Sequence, residues 1–237
     1  MASYIVKCRF ISRLLPRPTA LPNSSYFCPM QRPFIIGVTG GSGSGKTSLL
    51  SKLRSAFQRS EVAIITQDNY YRKREEQLVD EEGKRNFDLP ESIELETFNA
   101  DLKRLSDGGI IERTEYTYNN ELIKPSTVTI HPAPIIIAEG LFLMHVEEVR
   151  KRLNLTVFVD VSDVLKLKRR IIRDQAERNY PLEDVLYRYE HHVLPSYQKY
   201  ILPYRDHADI IINNTESLDG GLEVLRGYIQ SMLSSGA

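Results

Sequence analysis

The stretch Phe34-Ile-Ile-Gly-Val-Thr-Gly40-Gly-Ser-Gly-Ser-Gly-Lys46-Thr47-Ser48 decides the fold. Phe34 to Val38 is a short continuous apolar run, the pattern of a strand covered on both faces. It leads directly into Gly40, Gly41, Ser42, Gly43, Ser44, Gly45, Lys46 and Thr47, which fit G-x-x-x-x-G-K-[ST] and open a helical stretch. Glycines let the backbone curl so that successive N–H groups point at phosphate oxygens. The helix that follows adds the positive end of its dipole, with Ser48 in its first turn. Lys46 is placed to reach the β- and γ-phosphates of a nucleoside triphosphate, and the Thr47 hydroxyl to bind Mg²⁺. A flexible Gly/Ser loop ahead of an ordinary helix is the bland alternative, and it leaves the lysine and threonine unexplained.

Outward from this loop, apolar runs alternate with helical patterns. Val62–Ile65, Ile135–Ala138, Val157–Val159 and Ile210–Ile212 read as further buried strands. Helices are predicted at about 46–59, 92–106, 163–178, 182–199 and 217–233. This alternation predicts an α/β P-loop NTPase fold with a doubly wound, mainly parallel five-stranded sheet. The stretch 110–131 differs: Thr114–Tyr118 and Thr127–Ile130 flank Asn119, Asn120 and Pro125, which suggests a hairpin-like insertion.

Composition narrows the possibilities. The chain has 237 residues, with 31 basic side chains against 31 acidic ones. This balance offers no global argument for a nucleic acid or a membrane partner. No apolar run approaches the ~20 residues of a membrane span. The two cysteines, Cys8 and Cys28, precede the first strand, so the folded part needs no disulfide and suits a reducing, cytoplasmic setting. Residues 1–33 are basic and contain no acid, and two readings compete for them. One is a disordered leader directing organelle import. The other is an upstream extension from a misassigned start, with Met30 the natural first residue. Residues 34–237 are then the P-loop domain.

Several side chains have the chemistry to serve an acceptor. Asp68 follows strand two, where a carboxylate faces the crevice and accepts a proton from an attacking hydroxyl; capping the next turn is its alternative. Asp88, in Asn86-Phe87-Asp88, is a second candidate, although Asp in a turn near Pro90 is common chemistry. Glu139 ends strand three, across from Thr47, where a carboxylate can hold Mg²⁺ directly or through water; a plain strand-end turn is its alternative. Lys166 to Asp174 is a basic helix in which Val164, Leu167 and Ile171 form an apolar seam, and Arg169 and Arg173 share another face. Such a run is usually solvated. Beside a phosphate loop it reads as a basic lid closing over the transferred group.

These residues resemble the uridine–cytidine kinases, within the group that includes phosphoribulokinase. The resemblance runs from about Phe34 to Asn214. It rests on Gly40–Thr47, Gln67-Asp68 through Tyr71, Asn86–Asp88, Glu139-Gly140, Phe158–Asp160, Arg169–Asp174 with Arg178, Tyr189 with Pro195, and Ala208–Ile211. It implies transfer of the γ-phosphate of ATP or GTP, with Mg²⁺, to the 5′-hydroxyl of uridine or cytidine. Asp68 is then the base, and Lys46 and Arg173 act on the phosphoryl group. Asp88 grips the ribose, and Tyr71, Phe87, Tyr116 and Tyr118 wall the pocket. Arg173 and Arg178 bring positive charge to substrate and phosphates, and Thr47 and Glu139 hold the metal. The partner is a small nucleoside; the assembly state, a homo-oligomer included, stays open. Leu89 stands where the family has His, Asn179-Tyr180 where it has Gly-Arg, and the hairpin histidine has no match. Acceptors such as phosphoribulose, pantothenate or a nicotinamide-type nucleoside remain alternatives, as does a nucleotide-binding regulator without an acceptor.

Overall fold

The computed structural model describes residues 32–117 and 124–235. The leader, apart from Arg32 and Pro33, and Tyr118 lie outside the described residues. Five strands form one parallel sheet in the order β2-β5-β1-β6-β7: β1 (Phe34–Thr39), β2 (Val62–Thr66), β5 (Ile135–Glu139), β6 (Leu155–Asp160) and β7 (Ile210–Asn213). An antiparallel pair, β3 (Ile111–Thr114) and β4 (Thr127–Ile130), forms the insertion; its second arm is as expected, whereas its first lies at Ile111–Thr114 and shares only Thr114 with the expected Thr114–Tyr118.

Successive strand residues point to opposite faces, so each apolar run feeds two cores. On one face Ile35, Ile65, Ile136 and Phe158 pack with Phe98, Leu102 and Leu105 of α2 (Leu95–Ser106). On the other, Ile36, Val38, Ile137, Val157 and Ile212 pack with Leu49 and Leu53 of α1 (Lys46–Ala56) and with Leu222, Leu225 and Ile229 of α7 (Asp219–Ser234). A short α3 (Glu147–Arg150) precedes β6. After β6 come α4 (Asp163–Arg178) and α5 (Leu182–Arg188). Helical structure then continues through a π turn, α6 (Leu194–Ser196) and a second π turn to Ile201. Pro195 lacks an N–H, and the wider π turns accommodate the missing bond.

Two of the resembling motifs hold the sheet together. Asp209 accepts from Thr156 N–H at 2.8 Å and Thr156 hydroxyl at 2.7 Å, pinning the start of β6 beside β7. Asp160 accepts from Arg205 at 2.8 Å.

The lid helix differs from its expected orientation. Val164 is 77% exposed, whereas Lys166, Arg170 and Asp174, one turn apart from one another, are buried. This inward face meets the phosphate loop and Asp88, surfaces too polar for an apolar seam. Its charges are paired: Lys166 with Asp163 at 2.7 Å and over the Tyr197 ring at 3.5 Å, and Arg170 with Asp174 at 3.1 Å. Burial of charge without such partners is prohibitive.

Candidate active site

One cavity of ≈ 340 Å³ opens beyond the carboxyl end of β1. Ser42, Gly43, Gly45, Lys46, Thr47 and Ser48 line one side. Asp68, Tyr71, Phe87, Asp88, Tyr116, Glu139, Arg173 and Arg178 line the rest, together with Leu141, Arg169, Arg170, Tyr180 and Arg188, which the sequence reading did not assign to the pocket. Gly40, Gly41 and Ser44 lie behind the wall. Ser44 is buried, and its carbonyl is held by Asn214 Nδ2 at 2.7 Å.

The loop is tight because it must pass under the lid. Gly43 has φ 78°, and a Cβ there would lie 2.7 Å from the Lys166 carbonyl oxygen. Lys46 turns back into its own loop, donating to the carbonyls of Gly40 at 3.0 Å and Gly41 at 3.3 Å. Its Nζ is 3.9 Å from Glu139 Oε1. Burial lowers the lysine pKa, while the charges of Glu139 and Asp68 oppose that shift. Burial, and then the Asp68 charge, push Glu139 up to about 7, although Lys46 and a 2.6 Å hydrogen bond from Thr66 pull the other way. Gly140 follows Glu139 because the Gln67 side chain occupies the space of any Cβ. Gln67 is itself buried and accepts from Phe142 N–H at 3.0 Å.

Asp68 stands in a 3₁₀ turn, Gln67–Tyr70, begun by Thr66, whose hydroxyl accepts the Asp68 N–H at 3.3 Å. The turn delivers Tyr71 to an aromatic chamber, its ring 4.9 Å from Tyr116 and 6.5 Å from Phe87. Asn69 draws the end of β3 down by accepting from Tyr116 N–H at 3.3 Å. Desolvation, followed by the charges of Asp68 and Asp88, raises the Tyr71 pKa well above that of a free phenol, so the hydroxyl stays protonated.

Asp88 is only 9% exposed. Its N–H is held by Asn86 Oδ1 at 2.9 Å, and Arg170 Nη1 lies 3.5 Å from its carboxylate. The same Nη1 is 3.1 Å from Ser42 Oγ, so Arg170 ties the phosphate loop to Asp88. Asp174, 1% exposed, is the hub of the lid: Arg170, Arg173 and Arg178 approach its carboxylate at 3.1, 2.9 and 3.2 Å. Asn179 closes α4 in the left-handed region at φ 55°. Asn is the non-glycine residue that tolerates this cap best. Tyr180 follows it, its N–H bonded to the Asp174 carbonyl at 3.1 Å, and lines the cavity.

A phosphate loop, strand-end carboxylates and an arginine-bearing lid around one cleft define a P-loop phosphotransferase. The chain belongs to the Phosphoribulokinase / Uridine kinase family, which it matches over residues 35–219. It is similar to the uridine kinase of Macrococcus caseolyticus, 35% identical over 86% of this chain and 99% of the relative. It also resembles uridine-cytidine kinase B of Dictyostelium discoideum, 34% identical over 86% and 84%. Among solved structures, a protein assigned as a fructose transport system kinase from Silicibacter sp. TM1040 shares the fold with TM-score 0.58 at 16% identity, over 77% of this chain and 91% of the other. D-glycerate 3-kinase from Cryptococcus neoformans aligns with TM-score 0.50 at 16% identity, over 71% and 79%. Among the described residues no helix is long and apolar enough to cross a membrane.

Proposed function

We propose that this kinase transfers the γ-phosphoryl group of ATP or GTP to the 5′-hydroxyl of uridine or cytidine, giving the nucleoside monophosphate. The observation that carries the reading is the single cavity joining Lys46 and Asp68 to an aromatic chamber floored by the buried carboxylate Asp88. Flat rings stack favourably on Tyr71, Phe87 and Tyr116, and a ribose offers Asp88 two hydroxyl donors. The names of the relatives agree with this chemistry.

In this reading Asp68 accepts the proton of the 5′-hydroxyl as it attacks. Lys46 leaves the carbonyls of Gly40 and Gly41 for the β- and γ-phosphates. Arg173 and Arg178, held by Asp174, face the charge that spreads over the transferring group. Thr47 and Glu139 fit Mg²⁺: both offer hard oxygen atoms, and a cation offsets the burial that makes a Glu139 anion costly. Bound there, Mg²⁺ would neutralise phosphate charge. The kinase is expected to act in the cytoplasm, on a small nucleoside. A coupled ADP-release assay over the four ribonucleosides, ribulose 5-phosphate and pantothenate tests the reading. Turnover with uridine or cytidine supports it; turnover confined to a purine nucleoside, the sugar phosphate or pantothenate overturns it.

A further inference from the structure

Between the 3₁₀ turn and Asp88 the chain forms a narrow strap. Asn86 N–H bonds Leu78 O at 2.8 Å, Val79 bridges Arg85, and Asp80 N–H bonds Lys84 O at 2.9 Å. At its tip the Asp80 carboxylate collects four donors. One oxygen accepts from the N–H groups of Glu82 at 3.0 Å and Lys84 at 2.7 Å. The other accepts from Tyr187 hydroxyl at 2.9 Å and pairs with His192 Nε2 at 2.7 Å. Tyr187 and His192 stand just over one helical turn apart, and His192 is 2% exposed. Neither Asp80 nor His192 lines the cavity. A short turn does not require this: the two backbone donors alone close it.

The same helical segment grips the strap twice more. Lys84 Nζ lies 3.4 Å from Asp184 and 3.7 Å above the Tyr187 ring, and Arg188 Nη1 donates to the Arg85 carbonyl at 2.8 Å. Beyond the strap, Asn86 holds the Asp88 N–H, and its carbonyl accepts from Ser92 Oγ at 2.8 Å. Movement at the tip is therefore transmitted through the paired strands to Asn86 and on to Phe87 and Asp88.

We infer that Asp80, clasped by Tyr187 and His192, is a positioning residue that sets Phe87 and Asp88 in the acceptor half of the cavity. Desolvation opposes its ionisation, yet the hydrogen bonds from Lys84 N–H, His192 and Tyr187 hold its carboxyl well below the usual range, so Asp80 is a carboxylate near neutrality. The inference rests on the reading that Asp88 meets the acceptor.

The test is steady-state kinetics with the full chain, varying uridine and ATP separately, alongside trypsin digestion followed by mass spectrometry. Asp80→Ala and His192→Leu each remove the clasp; His192→Gln keeps a donor near the Nε2 position. The two loss variants should raise the uridine KM about tenfold while the ATP KM stays within about twofold, and His192→Gln should restore it. Trypsin should cut after Lys84 and Arg85 faster in both loss variants and at the wild-type rate in His192→Gln. If Asp80→Ala does not fold, the His192 pair alone carries the comparison. Unchanged uridine KM, or parallel losses for uridine and ATP that track melting temperature, would overturn the inference. A wild type inactive on every nucleoside removes the substrate reading alone. The tryptic comparison then decides whether the clasp holds the strap, and equal cutting of all variants refutes it.

Discussion

Replacing Asp174 with Ala removes the hub of the lid. Each of its three arginine pairs, at about 3 Å and an effective dielectric near 20, has a gross attraction of roughly 5–6 kcal/mol. Most of that is offset by desolvation and by repulsion among the guanidinium groups, and removing one member of a buried pair costs about 3–5 kcal/mol net. The three arginines do not share that cost equally. Arg173 and Arg178 are 30% and 15% exposed at the side chain and can turn into the water of the cavity. Arg170, at 7%, cannot; it keeps only Asp88 at 3.5 Å and Ser42. The expected loss is therefore at the low end, about 3 kcal/mol by urea unfolding. Activity should fall further than stability explains. With Arg173 and Arg178 no longer held, kcat at a temperature where the variant is folded should drop by about a hundredfold, the scale of a lost electrostatic donor. Asp174→Asn should recover part of the stability but less of the rate, since a neutral amide accepts from fewer guanidinium groups. A variant with wild-type kcat, or one destabilised by under about 0.5 kcal/mol, refutes the idea that Asp174 organises the lid.

Asp68→Asn should lower kcat by ~10²–10⁴ with little change in ATP affinity, as expected for a lost general base; a drop below about threefold would assign Asp68 to turn-capping alone. Asp88→Ala should chiefly raise the uridine KM, because ribose contacts exist in ground and transition states alike; with wild type, efficient phosphorylation of deoxycytidine would count against a ribose-reading Asp88. Wild-type kcat/KM for uridine and cytidine should agree within about tenfold, ~1.4 kcal/mol. Tyr116→Ala should admit adenosine by opening the chamber beside Tyr71, and an unaltered purine discrimination in competition kinetics would place selectivity elsewhere.

The strands, the phosphate loop and the hairpin were all legible in the chain. Each depends on a local pattern: apolar runs, a glycine-lysine spacing, polar turn residues between β-branched ones. Asp68 and Glu139 were legible for a related reason. Glu139 ends a buried parallel strand and Asp68 follows one, and the ends of such strands converge on one crevice. The lid helix shows where this reasoning stops. Its apolar spacing pointed to Val164 as an inward residue, but the surface it meets is made by Gly43, Ser42 and Asp88, from two distant segments. Against that surface the favourable inward face is charged. Arg170 went unassigned for the same reason: its partners Ser42 and Asp88 are 128 and 82 residues away. Tyr180 and Arg188 likewise enter the cavity only because α4 ends at Asn179 and the next helix turns back toward the loop.

Period and turn chemistry act over a few residues, and they were sufficient for the order of elements, the parallel sheet and the phosphate-binding half of the cleft. The rest of the cavity is assembled from the 3₁₀ turn, the strap, the hairpin end and two helices, and its ion pairs form only when those segments meet. Buried charges such as Arg170, Asp174 and the Asp80–His192 clasp are tolerable solely through partners that chain folding supplies. Which of the many arginines and carboxylates are buried, paired and turned into the cavity was therefore decided by tertiary packing.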